Sequence, residues 1–113
     1  MIDQTIKITK LFDAYGDLLT DRQKKCIELH YLDDLSLSEV AEQFEVSRQA
    51  VHDILKRSVQ IMEDFEQKLT LVAKNEKQEQ IISEIDKLLG KAIAQYGESV
   101  LLSELKEKIG SLR

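Results

Sequence analysis

Six polar side chains suited to contact with nucleic acid fall close together in this chain: Arg48, Gln49, His52, Asp53, Lys56 and Arg57. Arg and Gln can each place two parallel hydrogen bonds on one base edge, Arg on guanine and Gln on adenine, while Lys and Arg also pair with phosphate oxygens. Residues 47–58 set Arg48, Lys56 and Arg57 against Asp53 alone, a local net charge of +2. Arg22, Lys24 and Lys25 form a second basic group that could meet a phosphate backbone.

The remaining reactive side chains point away from catalysis. Asp33 and Asp34 are adjacent acids between helical segments, where acids serve as turn residues rather than as an acid–base pair. His30 and His52 are far apart in the chain and Cys26 is the single cysteine, so no metal-ligand spacing exists and no disulfide can form within the chain. No glycine-rich phosphate loop is present. The chain is therefore expected to be no enzyme and to need no cofactor and no metal, with Cys26 as core filler.

Several elements must position the basic group. Ile8, Leu11, Phe12, Tyr15 and Leu18/Leu19 recur three and four apart, the signature of a first helix over residues 3–18. Thr20, with Gln23 three residues on, marks the start of a second helix that runs to about Leu32 and buries Cys26, Ile27 and Tyr31 or near neighbours. Ser36-Leu37-Ser38-Glu39 is a capping box opening a short third helix over residues 37–44, with Leu37, Val40, Ala41 and Phe44 inward. Glu45-Val46-Ser47 reads as a tight turn, with Val46 plugging the space between helices and Ser47 capping the next one. A fourth helix begins at Arg48 and meets no Gly or Pro before about Ala73.

The third and fourth helices form a helix-turn-helix. The small Ala41 allows a close crossing, and the turn aims the N-terminal half of the fourth helix, with Ser47 at its tip, toward a groove. Farther along, Val51, Leu55, Ser58, Met62, Phe65, Leu69 and Val72 alternate steps of four and three, as in a coiled coil, and predict either a core seam or a dimer interface. A polar link over residues 74–80 precedes Ile81, Ile82, Ile85, Leu88, Leu89, Ala92 and Ile93, and Leu101, Leu102, Leu105, Ile109 and Leu112 make a last amphipathic stretch after Gly97. The expected division is a helix-turn-helix domain over residues 1–73 and a C-terminal helical extension over 74–113. This much apolar helix face predicts self-association, with a C2 homodimer as the default symmetry.

Residues 19–57 resemble region 4 of bacterial sigma factors, in which a Leu-Thr-x-x-Gln start, a Leu-Ser-x-x-Glu-Val/Ile-Ala segment and a Val-Ser-Arg turn follow in this order. The similarity is closer to the YlxM family, small bacterial proteins with a sigma-region-4-like helix-turn-helix. Tyr31 to Glu42 and Val46 to Val51 look like its two signature stretches, and the resemblance runs from about residue 8 to 70. It implies an all-α fold and a regulatory protein of the signal recognition particle pathway. The implied partner is DNA or signal recognition particle RNA, or else the particle's GTPases if the chain is a protein-binding adaptor. Glu63-Asp64-Phe65-Glu66 departs from the basic continuation of a sigma helix and argues against strong promoter-type binding.

Composition bounds these readings. At 113 residues the chain is too short for a stand-alone sigma factor, which needs a second region to bind polymerase and melt promoters. The absence of Pro, only 4 Gly and 5% aromatics leave helices as the accessible architecture. A third of the residues are charged, so no membrane span is expected, and Met1-Ile2-Asp3-Gln4 lacks the basic-then-apolar pattern of a signal peptide, which places the chain in the cytoplasm. The net charge of -5 is spread along the chain, so binding to phosphates has to be local, and the same charge suits an adaptor facing a basic protein.

Overall fold

The computed structural model describes residues 2–113, and the reading of the start at Met1 lies outside the described residues. Six α-helices and no strand are found among those residues: α1 (Ile2–Tyr15), α2 (Asp21–Ile27), α3 (Leu37–Phe44), α4 (Arg48–Leu69), α5 (Leu71–Tyr96) and α6 (Val100–Gly110). The all-α expectation holds. Two compact units result, Met1–Val72 and Ala73–Arg113.

In the first unit the three-and-four spacing of α1 buries Ile8, Leu11 and Tyr15. The Phe12 ring lies over Gly16, where a Cβ would come within 2.9 Å of it, so any larger residue in the 3-10 turn that leaves α1 would have to displace the ring. Thr20 and Gln23 then close a reciprocal capping box on α2, at 3.0 and 3.2 Å.

Sequence periodicity predicts α-helix to about Leu32, yet α winding stops at Ile27 and Glu28–Leu32 forms a π-helical stretch. The Asp33 amide donates to the Glu28 carbonyl, five residues back, at 2.9 Å. The wider winding rotates these residues away from their α-helical positions, so Leu29 is buried and Tyr31 is only half-buried. His30 Nδ1 lies 2.7 Å from the Leu35 carbonyl oxygen, which ties the π segment to the loop that leads into α3.

The fourth helix also departs from expectation. It ends at Leu69 rather than near Ala73, because Thr70 adopts a left-handed conformation (φ 54°, ψ 32°). A β-branched residue is strained there, and tertiary hydrogen bonds hold it. The Tyr15 hydroxyl donates to Glu66 Oε1 at 2.6 Å and accepts from the Leu71 amide at 3.1 Å, while Glu66 Oε1 also accepts from the Val72 amide at 3.0 Å. The break at Thr70 takes the Leu71 and Val72 amides off the α4 ladder, and these two side-chain oxygens serve as their acceptors instead. Burial and the Glu66 carboxylate push the Tyr15 phenol above its ordinary pKa. The expected polar link over residues 74–80 is likewise helical within α5, since its Lys, Glu and Gln residues are good helix formers and nothing in it breaks the ladder.

The heptad seam resolves as core for most of its length. Val51, Leu55, Ser58 and Met62 are buried, and the Ser58 hydroxyl is satisfied by the Ile54 carbonyl at 2.7 Å. Phe65 stacks on Tyr15 at 6.0 Å and Val72 packs against the same core, whereas Leu69 is exposed. The second unit is thinner: Ile82, Leu89 and Ile109 are buried and Leu102 packs against them. Gly97, at φ 79°, makes the turn, and Ser99 caps α6 by accepting from the Leu102 amide at 3.2 Å.

Candidate nucleic-acid interface

The helix-turn-helix is built by local chemistry. Ser36 and Glu39 form the predicted capping box, at 3.0 and 3.1 Å, and the Ser36 amide and hydroxyl hold the Glu39 carboxyl below its ordinary pKa. Val40 and Ala41 are buried where α3 meets its neighbours, with Leu37 and Phe44 half-buried at the margin. Glu45 supplies the left-handed turn residue (φ 56°), and the Val46 amide returns to the Ala41 carbonyl at 3.1 Å. Ser47 then accepts from the Ala50 amide at 3.0 Å and starts α4.

This start delivers Arg48, Gln49, His52, Asp53, Lys56 and Arg57 to the surface, and all six are exposed. Arg48, Lys56 and Arg57 enter none of the ion pairs found among the described residues, so their charges remain available to a ligand. Gln49 and His52 are less free. Gln49 Nε2 donates to Asp53 Oδ1 at 3.0 Å, and His52 Nδ1 lies 3.7 Å from that same oxygen. Asp53 therefore orients Gln49 and would have to yield it to a base.

The second basic group already has partners within the fold. The Arg22 guanidinium lies over the Phe44 ring, 5.7 Å from its centroid, which keeps it beside the end of α3. Lys24 pairs with Asp17 at 2.6 Å, an interaction that lowers the Asp17 pKa and raises that of Lys24, and Lys25 lies 3.9 Å from Glu28. A phosphate would compete with an existing partner at each of these two lysines.

A groove of about 360 Å³ borders the exposed face of α4. His52, Lys56 and Gln60 line one side, and His30, Tyr31 and Leu37 also line it. The four-residue spacing of His52, Lys56 and Gln60 is legible as a stripe in the sequence. The placement of His30 and Tyr31 is not, because they sit in a π-wound stretch that helical periodicity does not announce. Cys26 is fully buried and burial pushes its thiol pKa upward, as expected of core filler. No group of three metal-ligating side chains occurs among the described residues, and no helix there is long and apolar enough to cross a membrane.

A short third helix, a left-handed turn and an N-terminally exposed fourth helix are the features that comparison with known proteins bears on. Residues 2–100 match the UPF0122 family, described as "Putative helix-turn-helix protein, YlxM / p13 like". The chain belongs to this family. It is 44% identical over 105 residues to a UPF0122 protein of Halalkalibacterium halodurans, covering 93% of this chain and 96% of the relative. UPF0122 proteins of Bacillus mycoides and Bacillus cereus are 43% and 42% identical over 109 residues, covering 96% of this chain and 99% of each relative. The YlxM resemblance read from Tyr31–Glu42 and Val46–Val51 is thus the family itself, and the match extends well past residue 70.

Proposed function

We propose that this UPF0122 protein is a non-enzymatic, cytoplasmic regulator that binds nucleic acid through the first turns of α4. The observation that carries the reading is the exposed, unpaired set Arg48, Lys56 and Arg57 at the outward end of the second helix of the helix-turn-helix. Arg48 and Gln49 suit base edges, and Lys56 and Arg57 suit phosphates. A C2 dimer would present two such helices to half-sites about 34–36 Å apart, or multiples of that spacing, on duplex DNA. The ligand is DNA or signal recognition particle RNA, the latter from the pathway the family resemblance implies.

A second reading has its own support. Asp33, Asp34, Glu39, Glu42 and Glu45 are all exposed on or next to α3 and flank the same turn with negative charge. Under this reading the helix-turn-helix is a scaffold that meets a basic protein such as a signal recognition particle GTPase.

Charge reversal separates the two. Arg48→Glu with Lys56→Glu should abolish binding in a gel-shift panel of genomic DNA and particle RNA, and two phosphate contacts per subunit, from Lys56 and Arg57, predict a log–log salt slope of about -2 per subunit on duplex DNA. Arg48→Ala should remove roughly 1–3 kcal/mol of sequence discrimination. Unchanged nucleic-acid affinity in the reversed protein would sink the first reading, and intact or faster binding to the GTPase would favour the second.

A further inference from the structure

The second unit carries an apolar face that its own fold leaves open. Arg113, just past α6, reaches Glu79 and Asp86 on α5, each at 3.0 Å, so the two helices run antiparallel. Their contact seam uses Ile82 and Leu89 on one side and Leu102 and Ile109 on the other, seven residues apart in each case. Ile81, Ile85 and Leu88 precede that seam by one residue or follow it by three, and Leu101 and Leu105 do the same on α6, with Leu112 just past its end. Equal rotational offsets on two antiparallel helices fall on one side of the hairpin. All six side chains are exposed, Leu88 at 64% and Leu101 at 74%.

We infer that this face pairs the α5–α6 hairpin with the same hairpin of a second copy, closing a four-helix bundle about a two-fold axis. The inference gives a surface to the C2 dimer of the reading above and rests on that part of it. The six side chains expose roughly 600 Å² of apolar surface, the upper end for a monomer's largest patch and near the about 800 Å² per partner of a standard interface. The hairpin also needs a larger core: units of about 40 residues seldom hold together alone, and this one buries three side chains. Charge at the rim favours a copy over a partner of one sign. Lys77, Glu84 and Lys91 on α5 and Glu104 on α6 lie two residues past a seam position or five before one and alternate in sign, so a two-fold mate can set Lys against Glu where a uniformly acidic or basic surface would meet its like. The Val51–Met62 part of the heptad seam is spent in the first unit's core and cannot serve.

Light scattering on the full chain at tens of micromolar should give twice the 13.0 kDa chain mass. Leu101→Ala with Leu105→Ala keeps helix propensity and should raise the dimer Kd about 100-fold. A monomeric wild type, or an unchanged Kd in the double variant, would overturn the inference, as would a chain that gains mass only when mixed with another protein. Hydrogen exchange on the unmutated chain avoids any folding defect of the variant. Dilution should speed exchange over residues 81–112 and leave residues 48–62 unchanged, and exchange independent of concentration there would also overturn the surface. The Arg48→Glu, Lys56→Glu protein should stay dimeric, so loss of nucleic-acid binding and loss of this interface are read separately.

Discussion

The two units of this chain solve the same problem, burying amphipathic helices, with different means. Met1–Val72 folds several differently directed helical segments around twelve buried apolar side chains among the described residues, including Tyr15, Ile27, Val40, Val51 and Met62. Ala73–Arg113 has most of one long helix and one short one, with three buried side chains and apolar residues left facing outward. Both units are helical almost throughout, so helix formation does not set the difference. The first unit changes direction often, at Gly16, Asp33-Asp34 and Glu45-Val46-Ser47, and each change lets another helix face find the same centre. A two-helix hairpin has no third element to cover its remaining face.

The strongest way to break this comparison is to open a cavity in each unit. Leu55→Ala should cost the first unit about 2–5 kcal/mol in denaturant unfolding, because Leu55 sits in a filled core that relaxes only partly. Leu89→Ala should instead unfold α6 locally, seen as hydrogen exchange near the unprotected rate over residues 100–110, with the first unit's melting unchanged. Global loss of the first unit on Leu89→Ala would show that the units are one cooperative body.

A smaller effect tests the break at the end of α4. Thr70→Gly removes the left-handed strain of a β-branched residue while the Tyr15 and Glu66 hydrogen bonds to α5 remain. It should stabilise the chain by about 1 kcal/mol in urea titration. A destabilised variant would mean that the Thr70 hydroxyl, which donates to the Leu69 carbonyl at 2.7 Å, outweighs the strain.

The smallest effect concerns acid. Glu39 has its pKa lowered from 4.5 by the Ser36 cap, so its charged form is favoured in the folded protein. Its contribution is present above the unfolded value and is lost as pH falls through the lower, folded one. Circular dichroism of Glu39→Gln, which keeps an acceptor for the Ser36 amide, should therefore show a shallower loss of stability below about pH 4.5 than the wild type. Identical acid limbs in the two proteins would remove Glu39 from the account.

Local chemistry makes much of this legible. Thr20, Ser36, Ser47 and Ser99 mark helix starts because a side-chain oxygen next to unpaired amides acts within a few residues, and three of the four are read directly from spacing. The exposed cationic face of α4 follows from the same logic, since a helix of known start fixes which residues share a side. Ser99 is harder to read because Gly97 and Glu98 obscure where α6 starts. The heptad pattern announces a buried seam but not its partner.

What the sequence alone determined about this protein is its all-α class, the helix-turn-helix at Leu37–Phe44 and Arg48 onward, and the residues Arg48, Lys56 and Arg57 on its outer face. Tertiary structure decided the π winding of Glu28–Leu32, the break at Thr70 and the engagement of Lys24 by Asp17. The physical reason is range. Caps and periodicity act over a turn or two of helix, whereas the break depends on Tyr15, Glu66 and Leu71, which the sequence separates and only the folded core brings within hydrogen-bonding distance.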